Sequence, residues 1–268
     1  MFATRLITAI LALAIFLGAL FLLPPAGWMA CLAPALLLGA REWGALAGYG
    51  RGGAWSYALA TTVVAVALAW VGNGEFDTRA VHVGVYALAV AFWLLAAPFW
   101  LKGHWRVRGA PLALVGWIVL IPTWIALVQL QAIAGVLLIF MGVIWIADTT
   151  AYLAGRQWGR HKLAPTISPG KTWEGVAGAA AGVAMYYIAL QLLVPDPRPA
   201  LNGAAGALAF AALLALSIEG DLFESLLKRQ AGVKDSGRLL PGHGGVLDRI
   251  DGLTATLPVV ALLVHYVG

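Results

Sequence analysis

The chain has 268 residues, of which 62% are hydrophobic and only 11% are charged, and its mean hydropathy is +0.87. This composition excludes an ordinary soluble domain. The single cysteine, Cys31, excludes an internal disulfide, and the net charge of +5 does not by itself indicate a nucleic-acid partner, because in so apolar a chain the placement of basic residues matters more than their sum.

Apolar runs of about 20 residues recur along the whole chain, each long enough to cross a bilayer as a helix. We predict an all-α fold, a polytopic integral membrane protein with about nine transmembrane helices in a single domain, 1–268. Its N-terminal spans occupy 1–128, and 131–268 carries the remaining spans and the polar loops. The first run is longer than a typical signal-peptide core, so we interpret it as a retained span. In chain order, the predicted spans are 4–23, 26–40, 54–72, 80–101, 110–128, 131–151, 174–194, 203–219 and 250–267.

The basic residues are distributed asymmetrically between the connections. With nine spans, the N-terminus and the loops after spans two, four, six and eight share one side, which holds 15 of the 17 lysines and arginines. The positive-inside rule places that side in the cytoplasm. We therefore predict a multi-pass protein of the plasma membrane (the inner membrane in a bacterium), with its N-terminus in the cytoplasm and its C-terminus outside.

Most acidic residues lie at the cytoplasmic ends of spans six to nine. These eight are Asp148, Glu174, Glu219, Asp221, Glu224, Asp235, Asp248 and Asp251. Their spacing, i, i+3 in both "DLFES" and "DRID", puts two carboxylates on one face of each of two helices. Two such faces can form an oxygen-rich site of the kind that Mg²⁺ prefers. An ion-pair network that fixes the loops, and carboxylates that favour the dipole of the last helix, remain the alternatives.

Basic and glycine-rich segments accompany these acids. Basic side chains suit phosphate oxygens, and the glycines around His243 allow a close backbone approach to a ligand. A second polar stretch, "SPGKT", precedes span seven without the G-x-x-x-x-G-K pattern of a P-loop. Its Ser168, Lys171 and Thr172 could meet a phosphate, or Thr172 could be a helix N-cap. Glu42, in the first half, is interpreted as an ion-pair partner of Arg41.

The segment "SLLKRQAGVKDSGRLLPGHGGVLDRID" (225–251) resembles the C-terminal motif of the phosphatidate cytidylyltransferases, also called CDP-diacylglycerol synthases. It fills every fixed position of that motif. "ADTTAYLAGRQWGRHKLAPTISPGKTWEG" (147–175) resembles the second polar segment of the same family. Together the two segments lie within the last 125 residues or so, and the first half is similar only as a set of apolar spans.

The resemblance implies a nucleotidyltransferase that converts CTP and phosphatidic acid into CDP-diacylglycerol and pyrophosphate. It implies catalysis in 131–268 at the cytoplasmic face, and a two-cation site with Mg²⁺ and a second ion that could be K⁺. It also allows a homodimer. The metal ligands would be Asp221 and Asp248, with Glu224, Asp251 and Asp148 as further ligands or their neighbours. Phosphates would be held by Lys228, Arg229, Lys234 and Arg249. The nucleotide site would include Ser225, His243, Gly244 and Gly245, and also Ser168, Lys171 and Thr172.

Two other functions fit parts of the pattern. A CTP-dependent lipid-alcohol kinase would use the same nucleotide, but the complete motif favours the cytidylyltransferase. An ion-coupled transporter also carries carboxylates in its helices, but its acids are expected near the membrane midplane rather than at one face.

Overall fold

The structure is a computed structural model that describes residues 2–71, 79–194, 202–237 and 244–267. Within these ranges, the side chains of residues 2–10, 12, 71, 79, 266 and 267 are not described. His243, which we predicted to line the nucleotide site, therefore lies outside the described residues.

Helices account for almost all of the described chain, as the all-α prediction requires. A π-helical turn, Phe92–Ala96, and a 3₁₀ turn, Gln131–Ile133, each join two successive α-helices. Each predicted span overlaps one helical stretch. In chain order the helices are α1 (Phe2–Leu22), α2 (Pro25–Leu46), α3 (Arg51–Val71), α4 (Arg79–Ala91), α5 (Ala97–Gly103), α6 (Ala110–Leu130), α7 (Ala134–Trp158), α8 (Trp173–Leu193), α9 (Gly203–Gln230) and α10 (Leu247–Val267).

The composition and the outer surface of these helices are those of a membrane protein. Large apolar side chains are exposed on them, for example Val63, Leu95, Met185 and Leu208, whereas soluble monomers rarely expose large apolar patches. These features support the predicted class, an all-helical membrane protein, while the number of about nine spans remains a prediction. In the described part of the chain, five helical stretches are long and apolar enough to cross a membrane: Arg51–Trp70, Ala80–Gly103, Ala110–Trp158, Trp173–Leu193 and Gly203–Gln230.

An aromatic cluster fixes the rotation of α9. The buried ring of Phe223 meets those of Phe92, Trp93 and Trp100 edge to face, at centroid distances of 5.5, 5.5 and 5.3 Å. Such pairs contribute about 0.5–1.5 kcal/mol each beyond the area that they bury. Because Phe223 faces the π-helical turn and α5, the polar residues on other faces of α9 are directed towards α7, α8 and α10.

Helices α9 and α10 approach each other closely where the acids lie. A Cβ atom at Gly220 would meet the backbone oxygen of Asp251 at 2.5 Å, so only glycine fits there. This contact brings the start of α10 against α9, beside Asp221. A small residue at the crossing thus sets the separation of the two acidic helix faces.

A short β-hairpin, which the sequence did not predict, connects α7 to α8. Strands β1 (Lys162–Ala164) and β2 (Ser168–Thr172) pair antiparallel. The hydroxyl of Thr172 accepts a hydrogen bond from Gly175 N at 3.1 Å, which confirms the predicted N-cap of α8. The Glu174 carboxylate accepts from the His161 ring (2.6 Å) and from the amides of Arg160 and His161. These bonds hold the hairpin against the start of α8.

The first half of the chain is fastened to α6 by aromatic donors. Trp43 Nε1 donates to Leu112 O at 2.8 Å, Tyr57 Oη to Ala113 O at 2.8 Å, and Trp28 Nε1 to Leu127 O at 3.0 Å. Trp28 is completely buried. A tryptophan near a span end is expected to belong to an aromatic belt at the membrane interface. Trp28 is instead a core side chain.

Candidate active site

The polar loops meet at one end of the helix bundle. Glu42 near the end of α2 bonds the start of α10, Lys171 of β2 pairs with Asp221 of α9, and Arg229 Nε donates to Ile167 O at 3.3 Å. Gln230, the last residue of α9, donates to Trp105 O at 2.9 Å. Most of the residues that we predicted from the sequence to be functional lie at this end of the bundle.

Lys228 is the centre of one charged cluster. Its buried ammonium contacts Glu224 Oε2 at 2.7 Å and Asp248 Oδ1 at 2.6 Å. Glu224 precedes it by one turn on α9, whereas Asp248 comes from α10, so the lysine joins the two helices. Buried charges persist only when they are paired in this way.

Asp248 is held by the loop that precedes it. Its Oδ2 accepts from Gly245 N at 2.8 Å and from the Ser236 amide at 3.0 Å, and it shares the single proton of the Ser236 hydroxyl, also at 3.0 Å, with Glu42 Oε2. Gly244 has φ of +80°, a conformation that glycine adopts without strain, and this turn brings the amide of Gly245 back towards the carboxylate. The glycines of the motif thus orient an acid, and they do so through backbone donors.

Asp221 belongs to a second cluster, about two turns before Lys228 in α9. Its Oδ2 pairs with the Lys171 ammonium, and its Oδ1 accepts from Ser225 Oγ at 3.3 Å. Asp148 of α7 and Asp251 of α10 both lie within electrostatic range of Asp221. Three carboxylates from three helices are therefore within electrostatic range of one lysine, Lys171.

The two clusters adjoin each other along α9. Asp221 and Lys228 are seven residues apart, about 10 Å along the helix axis. Asp251 lies beside Asp221, Asp248 beside Lys228, and Glu224 is within electrostatic range of both Asp248 and Asp251. The structure brings together all five acids that we predicted as metal ligands, in two layers rather than one.

A cavity of about 420 Å³ opens on the deeper cluster, between α7 and α8. Charged side chains in its lining are Asp148, Arg156, Lys171 and Asp221, and its walls include small residues of both helices. Asp148 is ten residues before the end of α7, about 15 Å along its axis. The cavity therefore extends well below the helix ends.

The remaining predicted residues lie around these clusters. Arg229, Lys234 and Arg249 are exposed, and Arg229 also donates to Val233 O at 3.2 Å. Arg249 is within electrostatic range of Asp148. Ser168 begins β2, four residues before the capping Thr172. Their predicted ligand contacts are compatible with these positions and stay predictions.

The residues present fit a divalent cation by their chemistry. Among the described residues, no group of three or more His, Cys, Asp or Glu is placed to hold a metal as it stands. However, the donors are the hard carboxylate oxygens that Mg²⁺ prefers, and Oε1 of Glu224 is buried without a hydrogen-bond partner in the described structure. In this structure, Lys171 and Lys228 neutralise these acids. In a site with bound metal, the cation would supply positive charge to them.

Sequence reasoning missed two site residues, Glu42 and Ser236. Glu42 was expected to pair with Arg41, but its carboxylate accepts from Val246 N, Leu247 N and Ser236 Oγ. The Arg41 guanidinium instead lies over the Trp55 ring, 5.1 Å from the centroid. The available signal was that Glu42 is the first acidic residue of the chain, inside an apolar helix. A buried acid in such a helix usually has a specific partner.

Fold and site together define a helical membrane protein whose acidic and basic side chains converge at one end of the bundle. The profile of the cytidylyltransferase family matches residues 3–267. The chain belongs to this family.

Several relatives are phosphatidate cytidylyltransferases. The one from Pseudomonas aeruginosa is 40% identical over 277 residues, which cover 100% of this chain and 98% of that protein. The Haemophilus influenzae protein is 44% identical over 129 residues, covering 47% of this chain and 44% of that protein. The Thermotoga maritima protein is 47% identical over 117 residues, 43% of each chain.

Proposed function

We propose that this protein is a phosphatidate cytidylyltransferase, which transfers the cytidylyl group of CTP to phosphatidic acid and releases pyrophosphate. The observation that carries the proposal is the similarity to the Pseudomonas aeruginosa enzyme over the whole of both chains. The site supports it, because acids suited to a metal lie beside lysines and arginines suited to phosphate oxygens. Acids for a cation and bases for phosphates are the arrangement that phosphoryl and nucleotidyl transfer require.

In this reaction a phosphate oxygen of the lipid attacks the α-phosphorus of CTP, and the bond to the leaving pyrophosphate breaks. A phosphate monoester is largely dianionic near neutral pH, its second pKa being about 6, so no dedicated base is needed. The chain's part is to position the two phosphates and neutralise their charge. Lys171 and Arg156 line the cavity at Asp221, and Arg229, Lys234 and Arg249 lie at the exposed rim.

Asp221, Asp148 and Asp251 in one layer, and Asp248 and Glu224 in the other, would hold Mg²⁺ and a second cation, which could be K⁺. When bound, these ions would supply positive charge for the triphosphate and for the leaving pyrophosphate. Lys228 would keep Asp248 and Glu224, the two acids of the second layer, in place. Ser225 would orient Asp221 through its hydroxyl.

The proposal includes a topology with the site facing the cytoplasm, where CTP is made available, and about nine spans. The stretch Ala110–Trp158 has 49 residues, about 74 Å as one helix, whereas a bilayer core is about 30 Å thick. The 3₁₀ turn at Gln131–Ile133 supports a division into two spans there. The homodimer that the resemblance allows remains a prediction.

Purified protein in detergent, supplied with CTP, Mg²⁺ and phosphatidic acid, tests the activity. Label on the α-phosphate of CTP is expected in the lipid product, with one pyrophosphate released per lipid. Transfer of the γ-label to a lipid would instead indicate a kinase, and no label in lipid would refute the proposal.

Asp248→Asn tests the role assigned to the motif's aspartate. The substitution keeps the shape of the side chain but removes the charge that pairs with Lys228, and we expect turnover to fall about 100-fold or more. Pyrophosphate release at saturating Mg²⁺ is the measurement, and Asp235→Asn, at an exposed aspartate in the segment that follows α9, is the matched control. Wild-type turnover in the Asp248 variant would remove this residue from the mechanism.

A further inference from the structure

We propose that Glu42, in the first half of the chain, is a positioning residue that fixes Asp248 for the transfer reaction. The inference rests on the proposed function and deepens it. It places one determinant of the site in α2, about 200 residues before the motif that carries the family resemblance.

The Glu42 carboxylate is inserted between the two polypeptide segments that hold Asp248. It is 4% exposed. Oε1 accepts from Val246 N at 3.1 Å, and Oε2 accepts from Leu247 N at 2.9 Å and from Ser236 Oγ at 3.0 Å. Val246 and Leu247 lead directly into α10 and Asp248, whereas Ser236 belongs to the loop after α9. One carboxylate therefore ties both segments to α2.

The chain leaves room for this carboxylate by using glycine on both sides of it. A Cβ atom at Gly237 would collide with Glu42 Oε1, and one at Gly245 would collide with both carboxylate oxygens and with Ser236 Oγ. Neither glycine has a positive φ, so backbone conformation does not explain them. The space that a side chain would take is occupied by Glu42, which gives these two glycines of the motif a physical reason.

Glu42 reaches Asp248 through Ser236 and through the first turn of α10. The Ser236 hydroxyl lies 3.0 Å from both Glu42 Oε2 and Asp248 Oδ2, and the Ser236 amide donates to the same Asp248 oxygen. If the backbone at Ser236 and at 245–247 shifts away from α2, Asp248 loses these donors and its alignment with Lys228. Displacements of about 1 Å at a reacting centre can reduce turnover about 100-fold.

A purely structural role for Glu42 is the competing explanation, because a carboxylate at a helix N-terminus stabilises the helix. That role predicts a lower unfolding temperature and little else. Positioning predicts in addition a fall in kcat with an unchanged KM for phosphatidic acid. It also predicts a higher Mg²⁺ concentration for half-maximal rate, since Asp248 is a proposed ligand.

Glu42→Gln is the test variant and Arg41→Gln the matched control. Gln has the shape of Glu, but its amide nitrogen cannot accept from an N–H, so the bond from either Val246 N or Leu247 N is lost and α10 is held less firmly to α2. We expect kcat to fall about 10- to 100-fold in Glu42→Gln and less than about twofold in Arg41→Gln, whose side chain stacks on Trp55. Gly237→Ala, which pushes against the carboxylate, should reproduce the Glu42→Gln kinetics. Turnover of Glu42→Gln within about twofold of wild type would overturn the proposal.

Amide hydrogen exchange supplies a readout that does not depend on turnover. We expect faster exchange in 244–250 for Glu42→Gln, with peptides from α3 and α7 unchanged, and wild-type exchange for Arg41→Gln. Unchanged exchange in 244–250 would refute the positioning contact even if activity fell. If the wild-type protein made no CDP-lipid, the proposed function would fail, whereas the exchange result would still decide whether Glu42 holds this segment.

Discussion

At the scale of single residues, Lys228 has an unusual position, because one ammonium group neutralises carboxylates of two different helices. It is 8% exposed, and its partners Glu224 and Asp248 are also largely buried. Removing one member of a buried ion network leaves uncompensated charge behind, which costs more than the network itself contributes. The stability of the site therefore depends on its charge balance.

Lys228→Met should destabilise the protein by about 3–5 kcal/mol, because Glu224 and Asp248 would face each other without the cation between them. Thermal unfolding in detergent measures the change. Lys102→Met, at an exposed lysine of α5, should stay within about 0.5 kcal/mol of wild type. Adding Glu224→Gln to Lys228→Met should restore part of the lost stability, and a double variant less stable than the single one would contradict this account.

Thr172 illustrates how a residue predicted to meet a nucleotide can also have a local structural task. Its hydroxyl caps α8, and the neighbouring Lys171 pairs with Asp221. Thr172→Val should lower stability by about 1 kcal/mol and, by loosening Lys171, reduce turnover, whereas Thr172→Ser keeps the oxygen and should resemble wild type. Unfolding temperature and pyrophosphate release measure the two effects. Equal behaviour of the Val and Ser variants would show that the cap is unimportant.

At the scale of helices, α7 and α8 pack through small residues. A Cβ at Gly178 would lie against Ala154 Cβ and 3.0 Å from Thr150 O, and one at Gly182 would lie against the Thr150 side chain. Close backbone approach of this kind is how helices associate where the surroundings are as apolar as the helix surface. The separation of α7 and α8 also sets the width of the cavity that contains Asp148 and Lys171.

The same substitution at two glycines should have opposite effects. Gly84→Ala in α4 places its methyl group in open space and should stabilise the protein by about 0.5–1 kcal/mol, the difference in helix propensity. Gly178→Ala should destabilise it by about 1–3 kcal/mol, because the two backbones must separate. The unfolding temperatures of the two variants test these opposite effects. A stabilised Gly178→Ala protein would mean that α7 and α8 are not tightly packed.

The sequence predicted elements well where the signal is local. Hydropathy located the helical stretches that the structure describes, and the i, i+3 spacing of Asp221 and Glu224 correctly put both carboxylates on a helix. The predicted span ended at 219, whereas α9 continues to Gln230. The β-hairpin was missed because strands of three and five residues, one containing Pro169 and Gly170, are too short for a periodic pattern. Glu42 was missed because its partners are about 200 residues away, and a single sequence gives no information about which distant residues are in contact.

At the scale of the whole molecule, the contacts at the site constrain how the chain crosses the membrane. The end of α2 meets the start of α10, the 104–105 loop after α5 meets the end of α9, and the hairpin between α7 and α8 meets α9. These loops therefore share one end of the bundle. It is the end to which the basic loops were assigned by the positive-inside rule, which supports a cytoplasmic site.

This arrangement predicts opposite accessibility for two loops that are close in sequence. In a chain with Cys31→Ser, a cysteine at Arg106 should be protected from a membrane-impermeant thiol reagent in intact cells. A cysteine at Ala132, in the exposed turn between α6 and α7, should react under the same conditions. After the cells are opened, the Arg106→Cys protein should label as well, because the residue is exposed to water. Labelling of Arg106→Cys but not of Ala132→Cys in intact cells would reverse the orientation and place the site outside, away from its nucleotide. Protection of both would mean that Ala110–Trp158 does not cross the membrane twice.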